Sequence, residues 1–313
     1  MAVPAVLGRA TRRFSSLGAR AGALRVGGVP EHFNAPFHYA RERGLYAKES
    51  LEVEWKMYPG GTGAMATALE TGEVDVAVML SEGAVAKITC GSPLAIVGTY
   101  VRSPLTWGVH VAHNESFQKI QDLKARIFGV SRMGSGSHLM AYVMADQLGW
   151  SIDGGDCPLE VVGTLDGARE AMAGGKISAF MWEKFTTKHL VDRGEWRRVG
   201  EVPTPWPCFL IVASKAVAEA QRKELATLVD VTRSMCEEFK ANANDATIKY
   251  VAEQHQMSTE DASEWLSGTQ WACKQEIEAS TLEKTGNFLL KLKQVPAVAE
   301  PSALLGPDCK LLQ

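Results

Sequence analysis

Short apolar runs alternate with amphipathic stretches over the first two thirds of the chain. Leu24-Arg25-Val26-Gly27-Gly28-Val29 and Leu51-Glu52-Val53-Glu54-Trp55 have the period of strands, and Val74-Asp75-Val76-Ala77-Val78-Met79 reads as a buried one. Leu94-Ala95-Ile96-Val97-Gly98 is a further strand. Between them the spacing turns helical over residues 37–44, 64–71 and 84–89, with Gly44 and Gly72 as stops. The middle third starts the alternation again. Strands are predicted at 127–130, 159–162 and 176–181, and helices at 138–148 and 166–173. From Ala216 onward the pattern is helical, over 216–243, 246–255 and 258–266, after an apolar strand Phe209-Leu210-Ile211-Val212-Ala213. Strands alternating with helices predict an α/β fold with largely parallel sheets.

The two α/β stretches share a local pattern. Ala68-Leu69-Glu70-Thr71-Gly72-Glu73-Val74-Asp75-Val76-Ala77 and Ala171-Met172-Ala173-Gly174-Gly175-Lys176-Ile177-Ser178-Ala179-Phe180 both give a helix end, a glycine stop and a strand. Two proline-bearing segments separate the stretches, one around Pro104 and one at Pro203-Thr204-Pro205-Trp206-Pro207. Taken as crossovers, they predict a first lobe of residues 24–101 plus 208–313 and a second of 102–207.

The charge refines this picture. Net charge is -3, but residues 1–30 hold five arginines and no acid, leaving 28 basic against 36 acidic residues in the rest. There is no basic excess to mark a nucleic-acid partner. The acid-free start, with Arg12-Arg13-Phe14-Ser15, predicts a mitochondrial transit peptide over residues 1–23 and a matrix protein, or otherwise a cytoplasmic one. No apolar run approaches the ~20 residues of a membrane span, so no membrane insertion is expected. Six scattered cysteines form neither a disulfide framework nor a zinc pattern.

Val29-Pro30-Glu31-His32-Phe33-Asn34-Ala35-Pro36, followed by Tyr39 to Val53, resembles the start of the substrate-binding proteins for sulfonates, taurine and nitrate. The yeast enzyme that makes the thiamine pyrimidine begins in the same way. Leu69 to Met79 resembles the same family's L-x-x-G-x-x-D-x-A segment, and the likeness extends over about residues 24–215. Leu45-Tyr46 replaces the usual aliphatic/aromatic pair, and Ser50 stands where glycine is common. Pro30-Glu31-His32-Phe33 resembles a eukaryotic branch. The resemblance implies the type-2 periplasmic-binding-protein fold: two α/β lobes, two hinge crossovers, and a ligand between them.

Ligands of open α/β sheets lie beyond the carboxyl ends of the strands. The loops there nominate a site. Glu31, His32 and Phe33 offer an acid, an imidazole and a ring for a cationic or heteroaromatic group, or else form an exposed turn. Gly60-Gly61-Thr62-Gly63 and Gly134-Ser135-Gly136-Ser137-His138 each open a helix, suited to an anion or simply to helix capping. The first lacks the lysine of a nucleotide loop. Ser81-Glu82 and Trp182-Glu183 end the matched strands and could take an amine or amidine. Trp206 is a second stacking candidate. His110 and His113 lack a third metal ligand, and Cys208 reads as a small hydrophobe.

These residues predict a soluble solute-binding protein closing on a small polar ligand, anionic or nitrogen-heterocyclic, with no cofactor and with any transporter partner left open. The alternative is an enzyme related to thiamine-pyrimidine biosynthesis. Against its pattern, Glu82 replaces the sacrificial histidine before Gly83-Ala84-Val85-Ala86-Lys87, Val78 stands at the lysine, and Cys208-Phe209 is all that remains of a cysteine cluster.

Overall fold

The computed structural model describes residues 22–242 and 245–313, so the segment expected to be a transit peptide lies outside the described residues up to position 21. The chain begins β1 (Ala23–Gly28), α1 (Ala35–Glu42), α2 (Leu45–Lys48), β2 (Glu52–Met57), α3 (Gly61–Glu70), β3 (Val76–Leu80), α4 (Ser81–Thr89), β4 (Leu94–Val101). It crosses into β5 (Thr106–Ala112), β6 (Phe128–Val130), α5 (Gly136–Gln147), β7 (Leu159–Val161), α6 (Leu165–Ala173), β8 (Ala179–Glu183), α7 (Lys188–Asp192) and β9 (Trp196–Pro203). It returns through β10 (Phe209–Ser214), α8 (Lys215–Ala220), α9 (Arg222–Ala241), α10 (Asp245–His255) and α11 (Thr259–Gly268). The last elements are β11 (Trp271–Lys274), β12 (Glu276–Glu278), α12 (Ala279–Lys291) and β13 (Lys310–Leu312).

The strands form two main sheets, ordered β11-β4-β10-β3-β1-β2 and β7-β6-β8-β5-β9. In the first, β1 pairs parallel with β2 and β3, while β10 lies antiparallel between β3 and β4. In the second, β6 is parallel to β7 and β8, and β5 runs against β8 and β9. Each sheet is thus mixed, because a strand that enters or returns through a crossover must run against its neighbours. Every residue of β4 is buried, as is the body of β10, so this pair forms the floor of the first core.

The matched sequence segments fold alike. In both, a glycine with positive φ ends the helix, Gly72 (φ 70) and Gly175 (φ 68). The carbonyl of Ala68 accepts from Glu73 and Val74, and that of Ala171 accepts from Lys176 and Ile177. This turn aims β3 and β8 into their sheets with equivalent carboxyl ends.

The crossovers lie side by side. Thr204 N–H donates to Leu105 O (2.9 Å), Leu105 N–H to Thr204 Oγ1 (3.0 Å), and Cys208 N–H to Ser103 O (3.2 Å). The helix expected over 216–243 breaks at Gln221, whose φ of -118° leaves the helical region between α8 and α9. No helix of the described residues is long and apolar enough to cross a membrane.

Candidate functional site

A cavity of about 540 Å³ opens between the two sheets at the carboxyl ends of their strands. One lobe supplies residues 29–31 after β1, residues 59–62 at the start of α3, and Leu80. The other supplies Trp107, Ser131 and Arg132, the start of α5, residues 163–166 and the end of β8. The volume suits a small ligand.

Two carboxyls from opposite lobes face it. Glu31 lines the cavity, and its Oε2 is shielded from water with no hydrogen-bond partner. Burial pushes its carboxyl up to about 8, and nearby Glu183 adds to the rise. Glu183, at the end of β8, is pushed up by burial to about 7, although hydrogen bonds to its carboxylate oppose the shift. Its Oε2 accepts from the Phe185 N–H (2.9 Å), the Thr186 N–H (2.7 Å) and the Thr186 hydroxyl (2.9 Å). The chain turns straight after β8, and this turn supplies the donors. His32 Nε2 stands 3.7 Å from Glu183 Oε2, beyond hydrogen-bond range. Burial, then His255, lowers the His32 pKa well below the ordinary value, so the ring stays neutral.

Hydrogen-bond donors gather around two helix starts. Gly60 N-caps α3 without a side-chain bond, and Gly61 takes a positive φ (68°) that a side chain would strain. Thr62 does not cap α3; its Oγ1 accepts from the Leu80 N–H (3.3 Å), tying α3 to β3. Ser135 does cap α5, accepting from the His138 N–H (3.3 Å), while its own hydroxyl lies 3.0 Å from that of Ser137. Ser137 Oγ in turn accepts from the Ser131 N–H (3.0 Å). Gly136 must lack a side chain, since a Cβ there would lie 2.8 Å from the Trp107 ring. Arg132 reaches from the second lobe to the first, donating to Gly60 O (3.4 Å). It forms no ion pair with an acid among the described residues. Trp107 Nε1 is likewise buried without a partner.

Of the residues nominated by sequence, Glu31, Gly61, Thr62, Ser135, Gly136, Ser137, Trp182 and Glu183 line the cavity. The other five, with Trp206, lie off its lining. His32 packs among Phe33, Phe185 and Trp265 behind Glu183. Phe33 is core, its carbonyl accepting from Tyr100 Oη (2.7 Å) and Trp271 Nε1 (3.1 Å). Ser81 donates to Pro207 O, bracing the crossover. Glu82 accepts from Trp206 Nε1 (2.9 Å), and burial raises its pKa. His138 Nδ1 accepts from the Gly134 N–H (2.8 Å), which shapes the loop. Cys208 is fully buried, and burial pushes its thiol up. His110 is a core imidazole whose Nε2 lies 3.1 Å from Thr187 Oγ1.

Arg132 and Trp107 were not anticipated by the sequence reading. Arg132 had a signal: it follows a predicted strand end by two residues, the position where ligands are met. Trp107 had none, because its strand was not recognised.

Two α/β lobes, paired crossovers and a cleft lined from both sides define the type-2 periplasmic-binding-protein fold, the fold of solute-binding proteins. Residues 107–202 match the family described as Ca3427-like PBP. The structure is similar to that of the Candida albicans CA3427 gene product, which defines a family with the generic periplasmic binding protein fold. The two are 28% identical with a TM-score of 0.83, over 93% of this chain and 97% of that one. It is also similar to the alkanesulfonate-binding protein SsuA from Xanthomonas axonopodis pv. citri bound to MOPS, at 16% identity and a TM-score of 0.73, covering 94% of this chain and 100% of that one. The nitrate-binding protein NrtA from Synechocystis PCC 6803 gives 14% identity and a TM-score of 0.69, over 92% and 86% of the two chains. These last two likenesses show the shared fold. No curated protein matches the sequence.

Proposed function

We propose that this protein binds a small polar metabolite, anionic or nitrogen-bearing, by closing its two lobes around it. The anionic end rests on the starts of α3 and α5, on Ser135 and on Arg132; the nitrogen end rests on Glu31 and Glu183. The observation that carries this reading is the shared cavity itself. It holds a guanidinium with no ion-pair partner among the described residues, and a buried carboxylate oxygen with no donor, which costs stability unless a partner arrives. Closure around a ligand that touches both lobes supplies that partner.

Native mass spectrometry of gently purified protein is the direct test. A stoichiometric adduct that is lost on denaturation is expected, with Arg132→Ala and Ser135→Ala each lowering its occupancy. An identified ligand whose affinity is indifferent to both changes would remove the anionic pole from the proposal. We also propose that residues 1–23 direct the protein to the mitochondrial matrix. A reporter fused to them should enter mitochondria, and a reporter that stays in the cytoplasm would refute it.

A further inference from the structure

We infer that the nitrogen end of the ligand is a planar amidinium or guanidinium group, seated between Glu31 of one lobe and Glu183 of the other. This rests on the solute-binding reading above and names the class of solute. Each lobe brings to the cavity wall a carboxyl with one oxygen that receives no hydrogen bond from the described residues. On Glu183, Oε2 is taken by three donors from Phe185 and Thr186, while Oε1 receives no hydrogen bond. On Glu31, Oε2 is covered and without a donor.

Among the described residues, no lysine or arginine forms an ion pair with either carboxyl. His32 is the neighbour best placed to do so, but it is buried and 3.7 Å from Glu183. Lys184 turns away to Glu264 (2.7 Å) and Glu201 (3.6 Å). Arg132 forms no ion pair with either carboxyl. Both carboxyls accordingly hold on to protons near neutral pH, with Glu31 raised to about 8 and Glu183 to about 7. A cationic ligand group releases those protons and pairs with the two carboxylates.

The shape of the site separates two kinds of cation. An ammonium gathers its N–H groups around one nitrogen, so it does not present a separate, in-plane set of donors to each of two carboxyls. A guanidinium or amidinium carries its N–H groups in one plane on separate nitrogens, so a single group spans two carboxyls. Its faces are weakly hydrated and pack on aromatic rings. Trp107 and Trp182, whose rings lie 6.3 Å apart at 68°, supply that surface on the cavity wall.

The test is calorimetric titration of the full chain with matched pairs: guanidinoacetate against glycine, and guanidinobutyrate against aminobutyrate. The guanidino acid of at least one pair should bind about tenfold more tightly than its amine, the scale of one charge-assisted hydrogen bond. Glu31→Gln should bring that ratio towards one. Glu183→Gln should do the same. If it fails to fold because the turn after β8 loses its acceptor, Glu31→Gln decides alone. Equal or tighter binding of the amine overturns the inference, as does a preference that survives Glu31→Gln. If the amines bind without a guanidino preference, solute binding stands and the inference falls. If neither pair binds and native mass spectrometry shows bare protein, both fall.

Discussion

Glu31 and Glu183 are bad for the stability of the lobes that hold them, and that is measurable. A carboxyl whose folded pKa is raised to about 8 keeps its proton where the unfolded chain releases it. Stability therefore falls as pH climbs from the unfolded carboxyl value towards 8. Below about pH 6.5 the buried histidines mask this, because His32, His110 and His255 resist the proton that the unfolded chain accepts. Above that value these three histidines are neutral in both states, and the carboxyls dominate. The melting temperature is expected to fall between about pH 6.5 and 8, and less so in Glu31→Gln. Parallel melting curves of the two proteins would count against an unpartnered Glu31. At this scale the sequence was half informative. It singled out acids at strand ends, but whether each faces the cavity depends on what meets it. Glu82 meets the indole of Trp206, 124 positions away, and is drawn out of the cleft. Arg132 was overlooked because the predicted strand stopped at Val130 and the predicted loop began at Gly134.

Most elements were legible from apolar runs and glycine stops, because those features set the turns after α3 and α6 locally. The helices α2, α7 and α12 were missed, and the missed strands share a cause: they are made by partners. Thr106–Ala112 carries a glycine and a histidine and becomes β5 only between β8 and β9. Likewise β4 was expected to end at Gly98 but runs on to Val101, paired with β11 at Trp271 and Lys274 across a register shift. Gly98 permits that pairing. A Cβ there would lie 2.0 Å from the Lys274 carbonyl oxygen, and backbone cannot step aside as a side chain can. Gly98→Ala should thus cost about 1–3 kcal/mol in urea unfolding, the scale of an overpacked core. A loss within error would mean that β11 is not held against β4. Ser135→Ala, which removes the cap of α5, should cost about 1 kcal/mol. Chemical unfolding checks this separately from any loss of affinity, so the capping and ligand roles of Ser135 can be told apart.

On the scale of the whole molecule, ion pairs bridge the lobes on two sides of the cleft. On one side α11 reaches across, with Glu264 to Lys184 (2.7 Å) and Asp261 to Lys188 (3.7 Å). On the other, Lys291 of α12 meets Asp146 of α5, and Lys293 lies 3.5 Å from Asp153. Most of these groups are well exposed, so each pair contributes only about 0.2–1 kcal/mol and is screened by salt. Lys184 and Asp261 are the least exposed, at 14% and 13%, and Lys184 is stacked 4.7 Å over the Phe185 ring, next in the chain to Glu183. Opening the cleft must pull Glu264 from Lys184, whereas the encounter with a ligand precedes that contact. The pair should accordingly act on release more than on capture. Glu264→Gln is expected to speed ligand dissociation about two- to fivefold, with little change in the association rate, as read by stopped-flow fluorescence of the cleft tryptophans. Raised ionic strength should speed release in the wild type and do so less in the variant. If the substitution slowed association and left dissociation untouched, α11 would be guiding the ligand in, and the contact between Glu264 and Lys184 would not be what keeps the lobes shut.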